Sequence, residues 1–412
     1  MYKTIEKCRI CGNSNLVEVV NLGEMMLTGV FPKSKNESIT AGPLSLVKCI
    51  GDKDTCGLLQ LCQSYDLREL YGMNYGYRSG LNRSMVDHLH SKVKKIMNIV
   101  QLKESDLIID IGSNDGTTLA AYPPDLSNLV GIDPTGVKFK DFYQPHIKLI
   151  PDFFSKTLIL EHFGPQKAKV VMAFSMFYDL EEPLSFMQGV YDILDDNGIW
   201  VFEQSYMPRM LETNSFDTVC QEHLEYYGLS QIKWMTDRVG FRIIDVELND
   251  INGGSFSVTV SKQNSQYAVA ENLNELLQQE HKRGLSTLQP YREFAVQISL
   301  FKEELLTFLR RARKDGKTVM GLGASTKGNV ILQYCGITEQ DLPCIGDVNT
   351  DKFGCYTPGT MIPIVPESEV LAKNPDYLLV LPWHFKKFFL SNNHLRGRNL
   401  VFPLPKLEIV KV

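Results

Sequence analysis

Residues 107–119, LIIDIGSNDGTTL, constrain the fold of this chain more than any other stretch. Their first five residues form an apolar run interrupted by Asp110, which predicts a buried strand. Gly112 and Gly116 follow, and glycine both adopts positive φ and lets a ligand lie against the backbone. A helix that begins here offers backbone N–H groups without intrahelical partners. The stretch therefore predicts the strand–turn–helix unit that binds nucleosides in α/β domains.

A second apolar run, residues 129–133, ends in Asp133, so two strands would end in acids beside one glycine turn. This arrangement suits the free hydroxyls of a ribose. The spacing in residues 110–116 differs from the dinucleotide fingerprint G-x-G-x-x-G, and Asp115 adds a carboxylate to the turn. Carboxylates repel a pyrophosphate but attract a sulfonium cation. The stretch resembles motif I of class I S-adenosylmethionine (SAM) methyltransferases, and the alternative is an ordinary turn of an α/β domain.

The rest of the region 101–260 alternates strand and helix patterns. Strands are predicted at 107–111, 129–133, 147–150, 169–174, 198–203, 241–247 and 255–261. Such alternation predicts a mainly parallel sheet with helices on both faces, and ligands at the carboxyl ends of its strands. We expect the cofactor-binding residues to be Asp110, Gly112, Asn114, Asp115, Gly116, Asp133, Pro134, Asp152, Phe153 and Ser175.

Cysteines dominate the N-terminal region, which holds five of the nine before residue 70. Cys8 and Cys11 form a C-x-x-C pair, whose two thiolates reach one tetrahedral ion. Cys49 and Cys56 supply a second, wider pair, and we expect all four to bind one structural Zn²⁺. The alternative is a set of free thiols with accidental spacing.

Length and composition limit the remaining possibilities. A chain of 412 residues predicts two or three domains. The net charge is −5 and the charges are interspersed, so we expect no nucleic-acid partner. There is no run of eighteen apolar residues and the N-terminus is polar, which predicts a cytoplasmic protein without a membrane partner. We expect a monomer or a small homo-oligomer.

Two polar segments suggest chemistry beyond cofactor binding. A tyrosine-rich loop at 71–80 places Tyr75 and Tyr77 on one side of an extended chain, where they line a polar cleft or simply pack. The cluster 217–227 contains His223, which accepts a proton near neutral pH, with Glu222 or Glu225 to orient it. The alternative for this cluster is a surface helix with capping acids.

The C-terminal third repeats the nucleoside-binding pattern. After two predicted helices at 271–283 and 290–312, residues 317–328 again read as strand, glycine turn and helix, with Lys327 added. A lysine beside a glycine turn suits an anionic phosphate. The turn at 249–256 binds a phosphate or a sugar hydroxyl, or is a plain hairpin turn. The chain is thus predicted to hold two doubly wound halves, one for each of two nucleotide-like ligands.

In this order, the C-x-x-C pair, the tyrosine loop, the SAM motif, Glu222-His223, the Gly-Gly-Ser turn and GLGASTKG at 321–328 resemble the zinc-containing sugar C-methyltransferases. The resemblance implies an α/β fold, with a zinc-binding domain at 1–70, a SAM-dependent methyltransferase domain at 71–262, a helical connector at 263–312 and a Rossmann-like domain at 313–412. It implies a nucleotide-linked 4-keto-6-deoxy sugar as substrate. The implied substrate-binding residues are Ser79, Asn252, Gly253, Gly254, Ser255, Ser325, Lys327, Asp347 and Trp383.

The chain departs from that family at three points. Cys220 and Gln221 stand where the family usually has tyrosine and histidine, and Tyr178 stands where a histidine is frequent. We expect His223 to remove a proton beside the ketone, Glu222 to orient the imidazole, and Tyr178, Tyr75 or Tyr77 to donate to the enolate oxygen. The alternatives are O- or N-methylation of a related sugar, a non-catalytic homologue that binds SAM and a sugar nucleotide, and, more distantly, a nicotinamide-dependent oxidoreductase.

Overall fold

The computed structural model describes residues 2–52, 54–70 and 77–412. The described chain has the mixed α/β architecture predicted from the sequence, with an N-terminal cysteine-rich region, a central α/β half and a C-terminal α/β half. Residue 70 ends the helix Leu67–Leu70 and residue 262 ends the strand Ser255–Lys262, whereas residue 312 lies inside the helix Gln289–Lys314, so the domain boundaries stay predictions. Among the described residues, no helix is both long and apolar enough to cross a membrane.

The N-terminal region is built from short antiparallel strands. Strand β1 spans Tyr2–Thr4, β2 Leu16–Met26, β3 Ala41–Cys49, β4 Leu59–Leu61 and β5 Gln63–Tyr65, and helix α1 spans Leu67–Leu70. β2, β3 and β4 pair antiparallel in that order, and β1 pairs with β5. So few strands bury little apolar surface, which is why a region of this size usually needs a metal or a partner surface to be stable.

The central half is a single twisted sheet flanked by helices. Its elements are α2 Arg83–Ile99, β6 Leu107–Ile111, β7 Leu129–Ile132, α3 Gly136–Phe139, β8 Ile147–Ile150, α4 Lys156–Phe163, β9 Ala168–Phe174, α5 Pro183–Ile193, β10 Leu194–Ser205, α6 Met207–Glu212, β11 Glu225–Tyr226, α7 Leu229–Val239, β12 Phe241–Asn249 and β13 Ser255–Lys262. The order in the sheet is β12-β13-β10-β9-β6-β7-β8. β13 runs antiparallel to both of its neighbours, β12 and β10, and the other pairs of strands in this sheet are parallel.

This order reverses direction at β6, because β7 and β9 lie on its two sides. A reversal of this kind opens a crevice at the carboxyl ends of the parallel strands. All five residues of β6 are buried, so the glycine turn after it is held against a rigid strand. The fold therefore places the predicted cofactor motif at the crevice.

The C-terminal half repeats this plan on a smaller scale. Its elements are α8 Leu273–Lys282, α9 Gln289–Lys314, β14 Val319–Leu322, α10 Thr326–Cys335, β15 Ile345–Asp347, β16 Ile364–Pro366, α11 Glu367–Ala372, β17 Tyr377–Val380, α12 Lys386–Ser391, β18 Asn399–Phe402 and β19 Glu408–Lys411. The order in the sheet is β16-β15-β14-β17-β18-β19, parallel except for β19. The two predicted helices before it are α8 and α9.

Helix α8 is tied to the central half by a buried carboxylate. Glu280 accepts hydrogen bonds from the backbone N–H groups of Leu229 (2.6 Å) and Ser230 (2.9 Å) and from the hydroxyl of Tyr206 (2.9 Å). The two N–H groups belong to the first turn of α7, where no intrahelical partners exist. An acid from one element thus caps a helix of another.

Both halves stabilise their glycine turn in the same way. Asp133, after β7, accepts from the N–H of Asn114 at 2.7 Å, and Asp347, in β15, accepts from the N–H of Ala324 at 2.7 Å. Each acid also accepts from the N–H two residues further on. A carboxylate has about four acceptor sites, so each acid keeps capacity for a ligand.

Candidate functional site

The carboxyl ends of β6, β7 and β9 enclose a pocket of about 240 Å³. Gly112 has φ +73°, and a Cβ at this position would lie 2.9 Å from the side chain of Met176. Of the predicted cofactor-binding residues, the pocket is lined by Asp110, Gly112, Asn114, Asp133, Pro134, Asp152, Phe153 and Ser175. Met176 and Phe154 line the pocket as well, and no sequence motif points to Met176.

Asp110 gives this pocket its electrostatic character. Burial raises the pKa of its carboxyl to about 8, and the nearby Asp133 adds to the effect while a hydrogen bond with Thr118 opposes it. Its Oδ2 has no hydrogen-bond partner among the described residues. A buried carboxyl with an unused oxygen is stabilised by a nearby cation, because opposite charge favours its ionised form. The pocket therefore fits a cationic ligand.

Two of the predicted residues support the turn from behind instead of lining the pocket. Asp115 accepts hydrogen bonds from the N–H of Gly80 at 2.9 Å and from the hydroxyl of Thr117 at 2.6 Å. Gly116 has φ +76°, and a Cβ there would lie 3.1 Å from the ring of Tyr143. Asp115 thus anchors the loop that precedes α2, which forms one wall of the pocket.

The segment after β9 links this pocket to the predicted base. Ser175 has φ +55°, uncommon for a residue other than glycine, and its N–H donates to the carbonyl of Glu203 at 2.7 Å. A non-glycine residue held in this conformation frequently marks a functional segment. Asp179 lines the pocket, and the ring of the preceding Tyr178 packs edge-on against His223, with 4.5 Å between ring centroids. His223 therefore lies next to the pocket wall.

The imidazole of His223 is oriented by a backbone carbonyl. Its Nδ1 lies 2.7 Å from the carbonyl oxygen of Thr218. A carbonyl only accepts hydrogen bonds, so Nδ1 carries the proton and the lone pair of the neutral ring is on Nε2. Burial lowers the pKa of His223 to about 4, and the charge of Lys327 contributes. The ring is therefore uncharged at neutral pH and able to accept a proton.

The predicted orientation of His223 by Glu222 requires a correction. The partner of Nδ1 is the carbonyl of Thr218, and Oε1 of Glu222 instead lies against Gly29 of the N-terminal region. Burial raises the pKa of Glu222. No residue pattern points to Thr218, because any residue supplies a backbone carbonyl.

Beyond His223, the central half meets the C-terminal half in a polar contact. The indole Nε1 of Trp383 donates to Oδ2 of the fully buried Asp217 at 2.7 Å, and the ammonium of Lys327 donates to the carbonyl of Asn252 at 2.7 Å. Burial lowers the pKa of Lys327 and strongly lowers that of His384. Asp217, Trp383, Lys327 and Asn252, which are distant in sequence, thus join the two halves.

The predicted substrate-binding residues are distributed over three places. Asn252 and Gly253 lie at this contact, in the turn between β12 and β13; Gly254 ends the turn and Ser255 begins β13. Ser325 caps α10 by accepting from the N–H of Gly328. Ser79 and Tyr77 line the pocket at the carboxyl ends of β6, β7 and β9. Tyr75 lies outside the described residues.

The four predicted zinc ligands come together. The sulfurs of Cys8 and Cys56 are 3.4 Å apart, those of Cys11 and Cys49 are 3.6 Å apart, and all four lie within 4.8 Å of one another. A tetrahedral ion with Zn–S bonds of about 2.3 Å separates its sulfurs by about 3.8 Å. The neighbouring thiols, Cys49 first, lower the pKa of Cys11, which favours a thiolate. The cluster fits a closed, structural Zn²⁺ site.

Comparison with protein families agrees with this organisation. A family model described as "Putative zinc binding domain" matches residues 8–71, "Methyltransferase domain" matches 82–246, and "C-methyltransferase C-terminal domain" matches 250–405. In all three of its regions the chain is similar to zinc-containing C-methyltransferases. It is accordingly a SAM-dependent methyltransferase with a zinc-binding N-terminal region.

A curated relative is similar over the whole length of this methyltransferase. The C-methyltransferase NovU of Streptomyces niveus is 28% identical over 420 residues, which covers 99% of this chain and 97% of NovU. Solved structures are more distant. The complex that contains the Haloferax volcanii Trm112 methyltransferase activator matches 44% of this chain and 94% of its own, at 11% identity and a TM-score of 0.36. The plantazolicin methyltransferase BpumL in complex with SAH matches 42% of this chain and 82% of its own, at 11% identity and a TM-score of 0.34.

Proposed function

We propose that this C-methyltransferase acts on a nucleotide-linked keto sugar, with a deoxy sugar expected, through an enolate that His223 generates. The observation that carries the proposal is the uncharged imidazole of His223, which is fixed by Thr218 and lies beside the wall of the SAM pocket. Methylation of carbon requires such a base, because an sp³ C–H bond is not nucleophilic and must first lose its proton.

The cofactor would be held by the residues that line the pocket at the carboxyl ends of β6, β7 and β9. SAM supplies an electrophilic methyl group on a sulfonium cation. Asp110 would face the positive charge, Asp133 would bind the ribose hydroxyls, and Asp152 with Phe153 would contact the adenine. In this proposal, Asn114, Pro134 and Ser175 complete the pocket.

His223 would take the proton beside the ketone through Nε2. The ring is uncharged at neutral pH, so the Nε2 lone pair is free, and a correctly placed general base accelerates proton transfer by about 10² to 10⁴-fold. Tyr178, whose ring touches the imidazole, would donate to the enolate oxygen. Glu222 has no orienting role in this proposal, because the carbonyl of Thr218 holds Nδ1.

The sugar nucleotide would lie where the two halves meet. Lys327 supplies a positive charge for a phosphate, and Asn252, Gly253 and Trp383 surround it. Asp347 offers its remaining acceptor capacity to a ribose of the nucleotide, as Asp133 does in the central half.

The test is exchange of the α-hydrogen of a nucleotide-linked keto sugar with D₂O, followed by mass spectrometry. The wild type should exchange this hydrogen and then add a methyl group from labelled SAM. His223→Ala should lose both activities while it retains SAM affinity in calorimetry. Exchange that continues at the wild-type rate in His223→Ala would remove this residue from the base role.

The same reaction mixtures also test two alternative functions. His223 would equally deprotonate a hydroxyl or an amine for O- or N-methylation, and proton NMR of the product distinguishes a C-methyl from an O-methyl signal. Cys220 and Gln221 replace residues usual in similar enzymes, which favours a non-catalytic homologue as a second candidate. Binding of SAM and sugar nucleotides without turnover across a panel of keto sugars would support that candidate.

A further inference from the structure

Gln221 joins the loop that carries His223 to the zinc-binding region. Its side chain is fully buried, and its Oε1 accepts from the N–H of Thr28 at 3.2 Å and from the hydroxyl of Thr28 at 3.1 Å. Its Nε2 donates to the carbonyls of Met25 at 3.5 Å and Met26 at 3.3 Å. Both the oxygen and the nitrogen of this amide therefore form hydrogen bonds with residues 25–28, which we call the anchor segment.

The same loop is also held on the other side of His223. The N–H of Leu61 donates to the carbonyl of Leu224 at 2.8 Å, and β11 pairs antiparallel with β4. Residues 59–61 are in turn bound by Arg9, which lies between two zinc ligands and donates to the carbonyl of Leu61 at 2.6 Å. The positions directly before and after the Glu222–His223 pair are thus both fixed to the zinc-binding region.

The orientation of the His223 ring depends on this loop. The carbonyl that holds Nδ1 belongs to Thr218, three residues before Gln221, and the N–H of His223 donates to the carbonyl of Cys220 at 3.2 Å. A displacement of the loop therefore moves both the ring and the group that orients it. An error of about 1 Å in the position of a reacting group costs on the order of 10²-fold in rate.

An amide is well suited to this position. It offers an acceptor oxygen with two lone pairs and two N–H donors, whereas a neutral imidazole has one donor and one acceptor. Only the amide satisfies the N–H of Thr28 and the carbonyls of the anchor segment together. This gives a physical reason for glutamine at a position where similar enzymes carry histidine.

We infer that Gln221 is a positioning residue for His223, and that the zinc-binding region sets the geometry of the proton-abstracting loop. The inference rests on the proposed function, because it assumes that His223 is the base. It assigns to the N-terminal region a role in catalysis that differs from holding SAM or the sugar.

The anchor segment provides a matched control. Gln333 of α10 binds the same segment, since its Oε1 accepts from the N–H of Met26 at 2.9 Å and its Nε2 donates to the carbonyl of Met26 at 3.2 Å. Gln333 holds the anchor segment to the C-terminal half, and among the described residues it forms no hydrogen bond with residues 217–228. Comparison of the two glutamines therefore distinguishes an effect on the position of the His223 loop from an effect on the contact between the zinc-binding region and the C-terminal half.

The experiment compares Gln221→Met with Gln333→Met in the full-length zinc-loaded enzyme. Methionine keeps the volume of glutamine but removes its hydrogen bonds. For Gln221→Met we expect α-hydrogen exchange and kcat to fall by about 10- to 100-fold, with KM for the sugar and the Kd for SAM within about twofold of wild type. For Gln333→Met we expect exchange and kcat within about twofold of wild type.

A milder variant keeps the test available if Gln221→Met does not fold. Thr28→Val removes only the hydroxyl that donates to Gln221, and we expect a loss of about two- to fivefold in exchange at unchanged SAM affinity. Equal losses in Gln221→Met and Gln333→Met, or no loss in Gln221→Met, would overturn the positioning role. Exchange that persists in His223→Ala would instead overturn the proposed function, so the two failures are distinct.

Discussion

Replacement of Asp110 by asparagine should abolish a proton release that we expect when SAM binds. Burial raises the pKa of Asp110 to about 8, so the carboxyl is mostly protonated in the free enzyme at neutral pH. A sulfonium cation beside it lowers this pKa, because opposite charge favours the carboxylate. Binding of the cofactor should therefore drive the proton from Asp110 into the buffer.

The size of the effect follows from the pKa. If bound Asp110 is fully ionised, a pKa of about 8 gives a release of about 0.9 protons at pH 7, about 0.5 at pH 8 and about 0.1 at pH 9. S-adenosylhomocysteine has a neutral sulfur, so it should release fewer protons than SAM at pH 7. The fall in proton release between pH 7 and pH 9 distinguishes Asp110 from groups that titrate below pH 5.

Calorimetric titrations in buffers with different ionisation enthalpies measure this release directly. Asp110→Asn keeps the size of the side chain and removes its titration, and the amino group of SAM titrates equally in both proteins. The difference between wild type and variant therefore reports Asp110. Equal proton release by the two proteins at pH 7 would refute the assignment.

A stability measurement tests the same group without the cofactor. The pKa of Asp110 in the folded protein lies above its ordinary value of 3.8, so its contribution to stability is fully present below pH 3.8 and is lost as the pH rises towards 8. The cost grows by about 1.4 kcal/mol per pH unit in this window. Without SAM, Asp110→Asn should therefore unfold at a higher temperature than wild type at pH 8.

Three further predictions concern the scaffold. Glu280→Gln should lower the free energy of unfolding by about 3 kcal/mol in urea denaturation, because it leaves buried donors of α7 unpaired, whereas the exposed Glu275→Gln on the same helix should stay within about 0.5 kcal/mol. Cys56→Ser should reduce bound zinc from one ion per chain in elemental analysis and lower the melting temperature, because the site loses one of its four ligands. Gly254→Ala should destabilise the chain by about 1 to 3 kcal/mol in the same denaturation assay, since φ is +126° and its Cβ would lie 2.2 Å from Arg209.

Most of the sheet was predictable because its strands are local hydrophobic runs. The predicted strand 107–111 has the observed bounds of β6, and 147–150 those of β8. The antiparallel direction of β13 was not predictable, because a strand pattern does not encode its partner. β11 was missed since two residues, Glu225 and Tyr226, show no periodicity. Its pairing with β4 joins positions far apart in the chain.

The functional site likewise combines local motifs, which are predictable, with contacts between distant residues, which are not. The glycine turn with Asp110 and Asp133 is a local motif, and its spacing alone predicts the pocket. The contact of Asp217 with Trp383 joins residues 166 positions apart, and no local pattern predicts it. The predicted partner of His223, Glu222, is wrong because the real partner is a backbone carbonyl, and every residue type has one.

The pairing of β11 with β4 limits how this enzyme can be divided. A fragment that ends near residue 70 would expose the hydrogen-bonding edge of β4, and such free edges promote aggregation. A fragment that begins there would release residues 224–226 from their sheet. Chimaeras between relatives should therefore exchange the cysteine-rich region together with residues 217–228, so that the two surfaces keep the sequences that fit each other.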